Sequence, residues 1–173
     1  MQKVIKITDP EETKLLAELG KRTDAEAARM RRFLAMPDLS RRAGSPIREI
    51  VEKVVAIPDF KDFYVFEVPE IVSAKISFDL FNFPADHPAR SRSDTYYVNP
   101  VRSLARAEGT SLEDLGEATS NGVNNDYILR THTTVVWYYE FQLSEMKEKI
   151  TKGEPVGAFS YGKVYRKDEI DRK

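Results

Sequence analysis

The chain has 173 residues, a length that suits one domain with its own hydrophobic core. Its 41% hydrophobic and 32% charged residues are typical of a globular protein, and its formal net charge of −1 provides no bulk attraction for nucleic acid. The absence of cysteine excludes disulfides and thiol catalysis and agrees with a cytoplasmic location, and neither a signal peptide nor a membrane-spanning run is visible.

Two helices are predicted near the N-terminus. In "TDPEETKLLAEL", Asp9 is the expected cap, Glu12 occupies a capping-box position, and Gly20 is expected to end the helix. In "RTDAEAARMRRFLAM", Thr23 is the expected cap of the second helix. The loop "PDLSRRAGSP" that follows is rich in turn-forming residues.

The clearest helical pattern is "SPIREIVEKVVAIP", with Ser45 as the cap and Pro46 at the first helical position. One apolar stripe runs along this helix at helical spacing: Ile47, Ile50, Val51, Val54 and Val55. The next segment, "FYVFEVPEIV", is predicted to be one strand. Its Pro69 cannot donate to a neighbouring strand, which favours an edge or a bulge.

The remaining segments predict two short strands, in "SDTYYV" and "YILRTHT", a helix in "VVWYYEFQLSEMKEKI" and a last strand in "PVGAFSYGKVYRKD". Residues 99–125 are rich in Gly, Ser, Asn and Glu, so we interpret them as a surface insertion with a short helix. The predicted fold is α+β, a largely antiparallel sheet flanked by helices. We place an N-terminal helical arm and linker at residues 1–43 and the main domain at residues 44–173.

Two of the predicted strands carry polar side chains on one face. Side chains alternate along a strand, so Arg130, His132 and Thr134 are expected to share one face of "ILRTHTT". Arg166 and Asp168 are expected to share one face of "KVYRKDE". An arginine with a carboxylate two residues later suits a substrate with both charges, such as an amino acid, and a nucleotide phosphate would also attract the arginine.

Each of these features also has an interpretation without function. Arg166 and Asp168 can form an ordinary surface pair at a solvated strand end, and a single strand histidine such as His132 is commonly structural. His87, beside a proline, suits a loop or a cap. The chain has 2 histidines and no cysteine, which makes a zinc site a poor interpretation. The aromatic run "WYY" is more typical of a core than of a base-stacking platform.

Three segments together resemble a known family. "FDLFNFPADHPARSRSDTYYV", "LRTHTT" and "GKVYRKDEID", in this order, resemble the catalytic core of the phenylalanyl-tRNA synthetase α subunit, a class II aminoacyl-tRNA synthetase. The resemblance covers residues 44–173 apart from the insertion. The helix from Ser45 plus "EVPEIV" resembles class II motif 1, the dimerisation element, which would place Pro69 at a subunit interface. "GKVYRKDE" resembles the first strand of motif 2.

The resemblance implies roles for individual residues. Arg166 matches the motif 2 arginine that contacts the ATP α-phosphate and the amino-acid carboxylate, and Asp168 matches the acidic position that helps to hold the substrate ammonium. His132 and Thr134 match the pair that lines the amino-acid pocket, with threonine in place of the more usual serine. Ser93 stands where many bacterial members have a bulkier pocket residue.

The implied activity is ATP-dependent formation of phenylalanyl adenylate followed by transfer to tRNA. Magnesium would arrive with ATP, no resident metal is expected, and the implied partners are a synthetase β subunit and a second α subunit. The alternatives are a related class II synthetase for another amino acid, or a non-catalytic core remnant that serves as a dimerisation or binding module. Because the resemblance stops within motif 2, we expect a truncated product that cannot charge tRNA alone.

Overall fold

A computed structural model describes residues 2–98 and 126–167 of the chain. The predicted insertion with its short helix, and Asp168 near the other end, lie outside the described residues. Over the ranges that are described, no helix is long and apolar enough to cross a membrane.

The N-terminal segment contains strand β1 (Val4–Lys6), helix α1 (Pro10–Lys21) and helix α2 (Ala25–Ala35). Asp9 caps α1 as predicted, because its carboxylate accepts a hydrogen bond from the backbone N–H of Glu11 at 2.9 Å. The prediction that Gly20 ends this helix is wrong. A glycine inside a helix costs about 1 kcal/mol relative to alanine, and packing of the buried α1 face offsets such a cost.

Two details of the predicted caps also differ from the structure. Helix α2 is capped by Asp24, one residue after Thr23, and the Asp24 carboxylate accepts from the N–H of Ala27 at 2.9 Å. Arg22 pairs with Asp24 at 2.9 Å, which favours the carboxylate as the cap. Glu12 serves another segment: its carboxylate accepts from the backbone N–H of Glu70 at 2.7 Å.

Helix α3 (Pro46–Val55) begins where the sequence predicts, although the Ser45 side chain makes no capping hydrogen bond. None of the α3 side chains is buried. The apolar stripe instead faces outward, with Ile47 48% and Ile50 62% exposed. The helix is therefore confirmed, and residues 2–98 and 126–167 leave much of its apolar face uncovered.

The predicted strand after α3 is broken at Pro69 into β2 (Tyr64–Glu67) and β3 (Ile71–Ser73), which belong to different sheets. Proline lacks a backbone donor, so the ladder cannot continue through it. Strand β2 is the centre of a three-stranded parallel sheet, between β1 and β5 (Ala158–Ser160).

The second sheet has two strands, β3 and β4 (Tyr127–Leu129), which pair antiparallel. The prediction of an α+β fold is confirmed, whereas a largely antiparallel sheet is not, because the larger of the two described sheets is parallel. "SDTYYV" contributes a single bridge, between Tyr97 and Ile128.

The other predicted elements are shorter than expected. The short helix α4 (Ala74–Ser77) follows β3. The helix predicted after β4 is divided into α5 (Val136–Glu140) and α6 (Ser144–Thr151), and the last strand is confined to β5. Leu143 has an extended backbone and interrupts the helix.

The N-terminal helices share a hydrophobic cluster with the rest of the chain. Leu15 and Leu19 of α1 and Met30 of α2 pack with Ile71 and Leu129, which lie on the two strands of the antiparallel sheet. A second cluster around Phe78 and a third around Phe66 complete the core. The division of the chain at residue 43 stays a prediction, and this common cluster links its two parts.

Candidate functional site

A cleft of about 310 Å³ contains two of the residues that the sequence singled out, His132 and Arg166. These residues lie 34 positions apart, one just beyond β4 and the other beyond β5. The cleft volume is at the lower end of the range for small-molecule sites. Its lining is partly apolar and partly polar: Phe83, His87, Pro88, Ala89, Asp94, Thr95, Thr131, His132 and Arg166.

One wall of the cleft is built by the segment after α4. A short 3-10 helix, Pro88–Arg90, begins at His87, whose Nδ1 accepts from the N–H of Ala89 at 3.1 Å. Of the two predictions for His87, a loop or a cap, the structure shows the cap. Thr95 is fully buried, and its hydroxyl donates to the carbonyl oxygen of Ala89 at 2.6 Å, which fixes this turn against the floor of the cleft.

His132 is held at both ring nitrogens. Nε2 lies 2.9 Å from the carbonyl oxygen of Ser77, and Nδ1 lies 2.5 Å from the hydroxyl of Thr134. A carbonyl oxygen can only accept, so in the neutral ring Nε2 carries the proton and Nδ1 accepts from Thr134. The Phe83 ring is parallel to the imidazole at 6.3 Å, and Phe81 meets it edge-on at 5.3 Å. The imidazole is thus fixed in orientation and tautomer.

Arg166 is presented by an extended segment that is fixed on both sides of it. The N–H of Tyr165 donates to the carbonyl oxygen of Arg130 at 3.0 Å, and the N–H of Lys167 donates to that of Asp94 at 2.9 Å. Arg166 itself is exposed, and its guanidinium makes no hydrogen bond or ion pair within residues 2–98 and 126–167. The backbone at Arg166 is therefore anchored on both sides, while its exposed guanidinium is not engaged by the described residues.

Tyr165 anchors this segment from the inside. It is buried, and its hydroxyl donates to the Glu70 carboxylate at 2.5 Å. Burial, and next the hydrogen bond to Glu70, raise the pKa of the Tyr165 phenol. The predicted alternation is confirmed at these positions, because Val164 and Arg166 are exposed on either side of the buried ring.

Two further predicted site residues, Thr134 and Ser93, are not part of the cleft lining, and a third lies outside the described residues. Thr134 is exposed and contacts the site only through His132. Ser93 is exposed, and its hydroxyl donates to the Asp94 carboxylate at 2.8 Å. Asp168 lies outside the described residues. The roles of these residues as amino-acid ligands stay predictions.

Arg130 does not share a strand face with His132, because β4 ends at Leu129. It is 3% exposed and lies at a second cleft, which is also lined by Pro69. Burial lowers the pKa of the Arg130 guanidinium. Pro69 is buried within this chain, so a subunit interface at this turn would have to be formed by the residues beside it. The interface role of Pro69 stays a prediction.

The residues that the sequence reasoning missed are Phe83, Asp94, Thr95 and Thr131, all in the lining of the cleft. Three of them lie in the segment "FNFPADHPARSRSDT", which carried the family resemblance but in which only His87 and Ser93 received individual interpretations. Their spacing follows neither a helix nor a strand, because 3-10 turns bring them together. Only the motif could have indicated them.

These features agree with comparisons to known proteins. Residues 33–173 match the family described as tRNA synthetases class II core domain (F), and the chain belongs to this family. The resemblance that the three motifs indicated is thereby confirmed.

Curated relatives carry a more specific name. The chain is similar to the phenylalanine–tRNA ligase alpha subunit of Aquifex aeolicus, with 33% identity over 124 residues, which cover 72% of this chain and 27% of that protein. It is similar to the protein of the same name from Mycobacterium avium, with 30% identity over 159 residues, which cover 90% of this chain and 38% of that protein. The chain thus spans 27% to 38% of the length of these relatives.

Proposed function

We propose that this chain forms part of the amino-acid and ATP site of a phenylalanine–tRNA ligase α subunit, acting in the cytoplasm. The observation that carries the proposal is the pair of residues in one cleft: a His132 imidazole held at both ring nitrogens and an Arg166 guanidinium without a partner among the described residues. The names of the similar proteins support phenylalanine as the amino acid.

The reaction requires that two anions meet. A carboxylate oxygen of the amino acid attacks the α-phosphorus of ATP, the bond from that phosphorus to the bridging oxygen breaks, and pyrophosphate leaves. A hydroxyl of the tRNA terminus then attacks the adenylate carbonyl, and AMP leaves. The contribution of the protein is chiefly orientation and charge neutralisation, and the loss of one such electrostatic contact typically costs ~3 kcal/mol in the transition state.

Arg166 suits both anions. Its planar fork of donors matches carboxylate and phosphate oxygens, and its anchored backbone limits the reorganisation needed on binding. The apolar part of the cleft, at Phe83, Pro88 and Ala89, suits a benzyl side chain. His132, Thr131 and Thr95 supply polar groups for the amino-acid backbone.

Magnesium would enter bound to the ATP phosphates and would supply charge neutralisation there. Among the described residues, no three possible metal-binding side chains cluster together, and Asp94 is the only carboxylate in the lining of the cleft. In this proposal the ion belongs to the substrate and needs no resident metal site.

A binding role is favoured by a separate observation. A further cleft lies beside the exposed α3 stripe. Ile47 of the stripe lines it together with Met36 and Leu39, which are also exposed apolar residues. Exposed apolar patches of this kind mark association surfaces. We infer a subunit interface at α3, with a second α subunit or a β subunit as its partner, whether or not the chain is catalytic.

Calorimetric titration tests the proposed function. The chain is titrated with phenylalanine, tyrosine and leucine in the presence of a non-hydrolysable ATP analogue and magnesium. Phenylalanine is expected to bind at least about tenfold more tightly than the other two, because a pocket built for one side chain discriminates by 1–3 kcal/mol. Equal affinities would contradict the choice of amino acid, and absence of binding would favour the non-catalytic module.

A further inference from the structure

Within the described residues Arg130 makes four hydrogen bonds, two to each of two segments that are distant in sequence. Its backbone N–H donates to the carbonyl oxygen of Glu70 at 2.9 Å, and its Nη1 donates to that of Val68 at 3.1 Å. Its carbonyl oxygen accepts from Tyr165 at 3.0 Å, and its Nε donates to the carbonyl oxygen of Lys163 at 2.9 Å. One buried residue thus joins the turn around Pro69 to the segment that carries Arg166.

Gly162 provides the space for this guanidinium. A Cβ atom at position 162 would lie 2.5 Å from Nη2 of Arg130 and 3.2 Å from Oδ2 of Asp38. The φ angle of Gly162 is +145°, a region that residues with side chains rarely adopt. A side chain here would therefore both strain the backbone and displace the guanidinium.

Arg166 follows directly after the part of the chain that Arg130 holds. Lys163 and Tyr165 are fixed to Arg130 on one side, and Lys167 is fixed to Asp94 on the other. The Arg166 side chain has no partner of its own among the described residues, so its position depends on these backbone anchors.

We propose that Arg130 is a positioning residue, which holds the Lys163–Tyr165 segment against the Val68–Glu70 turn and so sets the place of Arg166 in the cleft. The relevance of that place to ATP rests on the proposed function, whereas the anchoring itself does not. Because the same residue contacts the Pro69 turn, movement of that turn would be transmitted to Arg166.

Amide hydrogen exchange tests the anchoring without any ligand. Gly162→Ala and Arg130→Lys are compared with Gly20→Ala, where a Cβ meets nothing within 4 Å, and with Arg29→Lys on the exposed side of α2. The first two changes are expected to speed exchange at the Tyr165 and Lys167 amides about tenfold and to leave α1 unchanged, because only local protection is lost. If Gly162→Ala does not fold, Arg130→Lys carries the test, since it keeps the charge.

A double-mutant cycle then tests the link to Arg166. Arg130→Lys is expected to weaken ATP binding about tenfold in the natural chain and less than about twofold when Arg166→Ala is already present, because coupled residues are not additive. Equal losses in both backgrounds, or exchange that rises throughout the chain, would show a merely structural role and overturn the inference. If the natural chain binds no ATP, the proposed function fails, and the exchange rates at Tyr165 and Lys167 alone decide the inference.

Discussion

The hydroxyl of Thr134 lies 2.5 Å from Nδ1 of His132, while the opposite ring nitrogen donates to the carbonyl oxygen of Ser77 at 2.9 Å, so in the neutral imidazole Thr134 is the donor. The threonine therefore acts on the cleft indirectly, through the orientation and tautomer of the imidazole. The contact suggests a physical role for the hydroxyl that, by the motif resemblance, is predicted to line the amino-acid pocket.

Thr134→Val is expected to weaken phenylalanine binding about fivefold, because the lost hydrogen bond is worth about 1 kcal/mol. Thr134→Ser keeps the hydroxyl and should bind like the natural chain. Calorimetry measures the affinity, and nitrogen chemical shifts of the His132 ring report the tautomer. Identical affinities and shifts in both variants would contradict this role of Thr134.

Arg166→Ala is expected to weaken ATP binding about tenfold or more and phenylalanine binding by less, because the guanidinium would face the triphosphate and a charge-assisted hydrogen bond contributes about 1.5–3 kcal/mol. Arg29→Ala, at an exposed position of α2, is the control for a lost positive charge. Both ligands are titrated by calorimetry. Equal losses for the two ligands, or no loss, would count against a phosphate contact.

Ile50→Asp is expected to reduce self-association or partner binding at least about tenfold, because burial of an isoleucine side chain contributes about 1.5–3 kcal/mol. Ile50 is 62% exposed on α3, so the change should not unfold the chain. Leu16→Asp, at a 43% exposed apolar position on α1, is the matched control. Sedimentation velocity at rising concentration measures association, and a strict monomer even at high concentration would argue against a self-association face.

Glu140 predicts a pH dependence of stability. The residue is fully buried, both carboxylate oxygens lack a hydrogen-bond partner among the described residues, and burial raises the pKa of the carboxyl above its ordinary 4.5. Because the pKa of Glu140 is higher in the folded protein, the folded protein binds the carboxyl proton more tightly than the unfolded chain does. The free energy of unfolding contributed by this group therefore falls as pH rises from 4.5 through the raised pKa.

Glu140→Gln should remove this decline, whereas Glu148→Gln, at an exposed carboxylate paired with Lys152 at 2.7 Å, should leave it in place. Urea unfolding between about pH 5 and pH 8 measures the slope for each variant. A parallel slope in the natural chain and in Glu140→Gln would show that this carboxyl does not carry the dependence.

Local features of the fold could be predicted because their causes are local. A cap depends on a side chain and the N–H groups two or three residues later, and the caps at Asp9 and His87 were accordingly found from the sequence. The α3 helix was predicted from its apolar period and Pro46. His132 and Arg166 were identified by motif, and the structure places both in one cleft.

The sequence by itself therefore determined the family, the class of fold and the starts of α1 and α3. Only the tertiary structure decided that β2 lies between two parallel neighbours, with Val65 opposite both Val4 and Phe159, because such pairing depends on residues far apart in the chain. It likewise decided that Arg130 is buried at a different cleft from His132 and that the described part of the chain leaves much of the α3 stripe exposed. An apolar period shows that a face can be buried, and only the surrounding chain decides whether anything covers it.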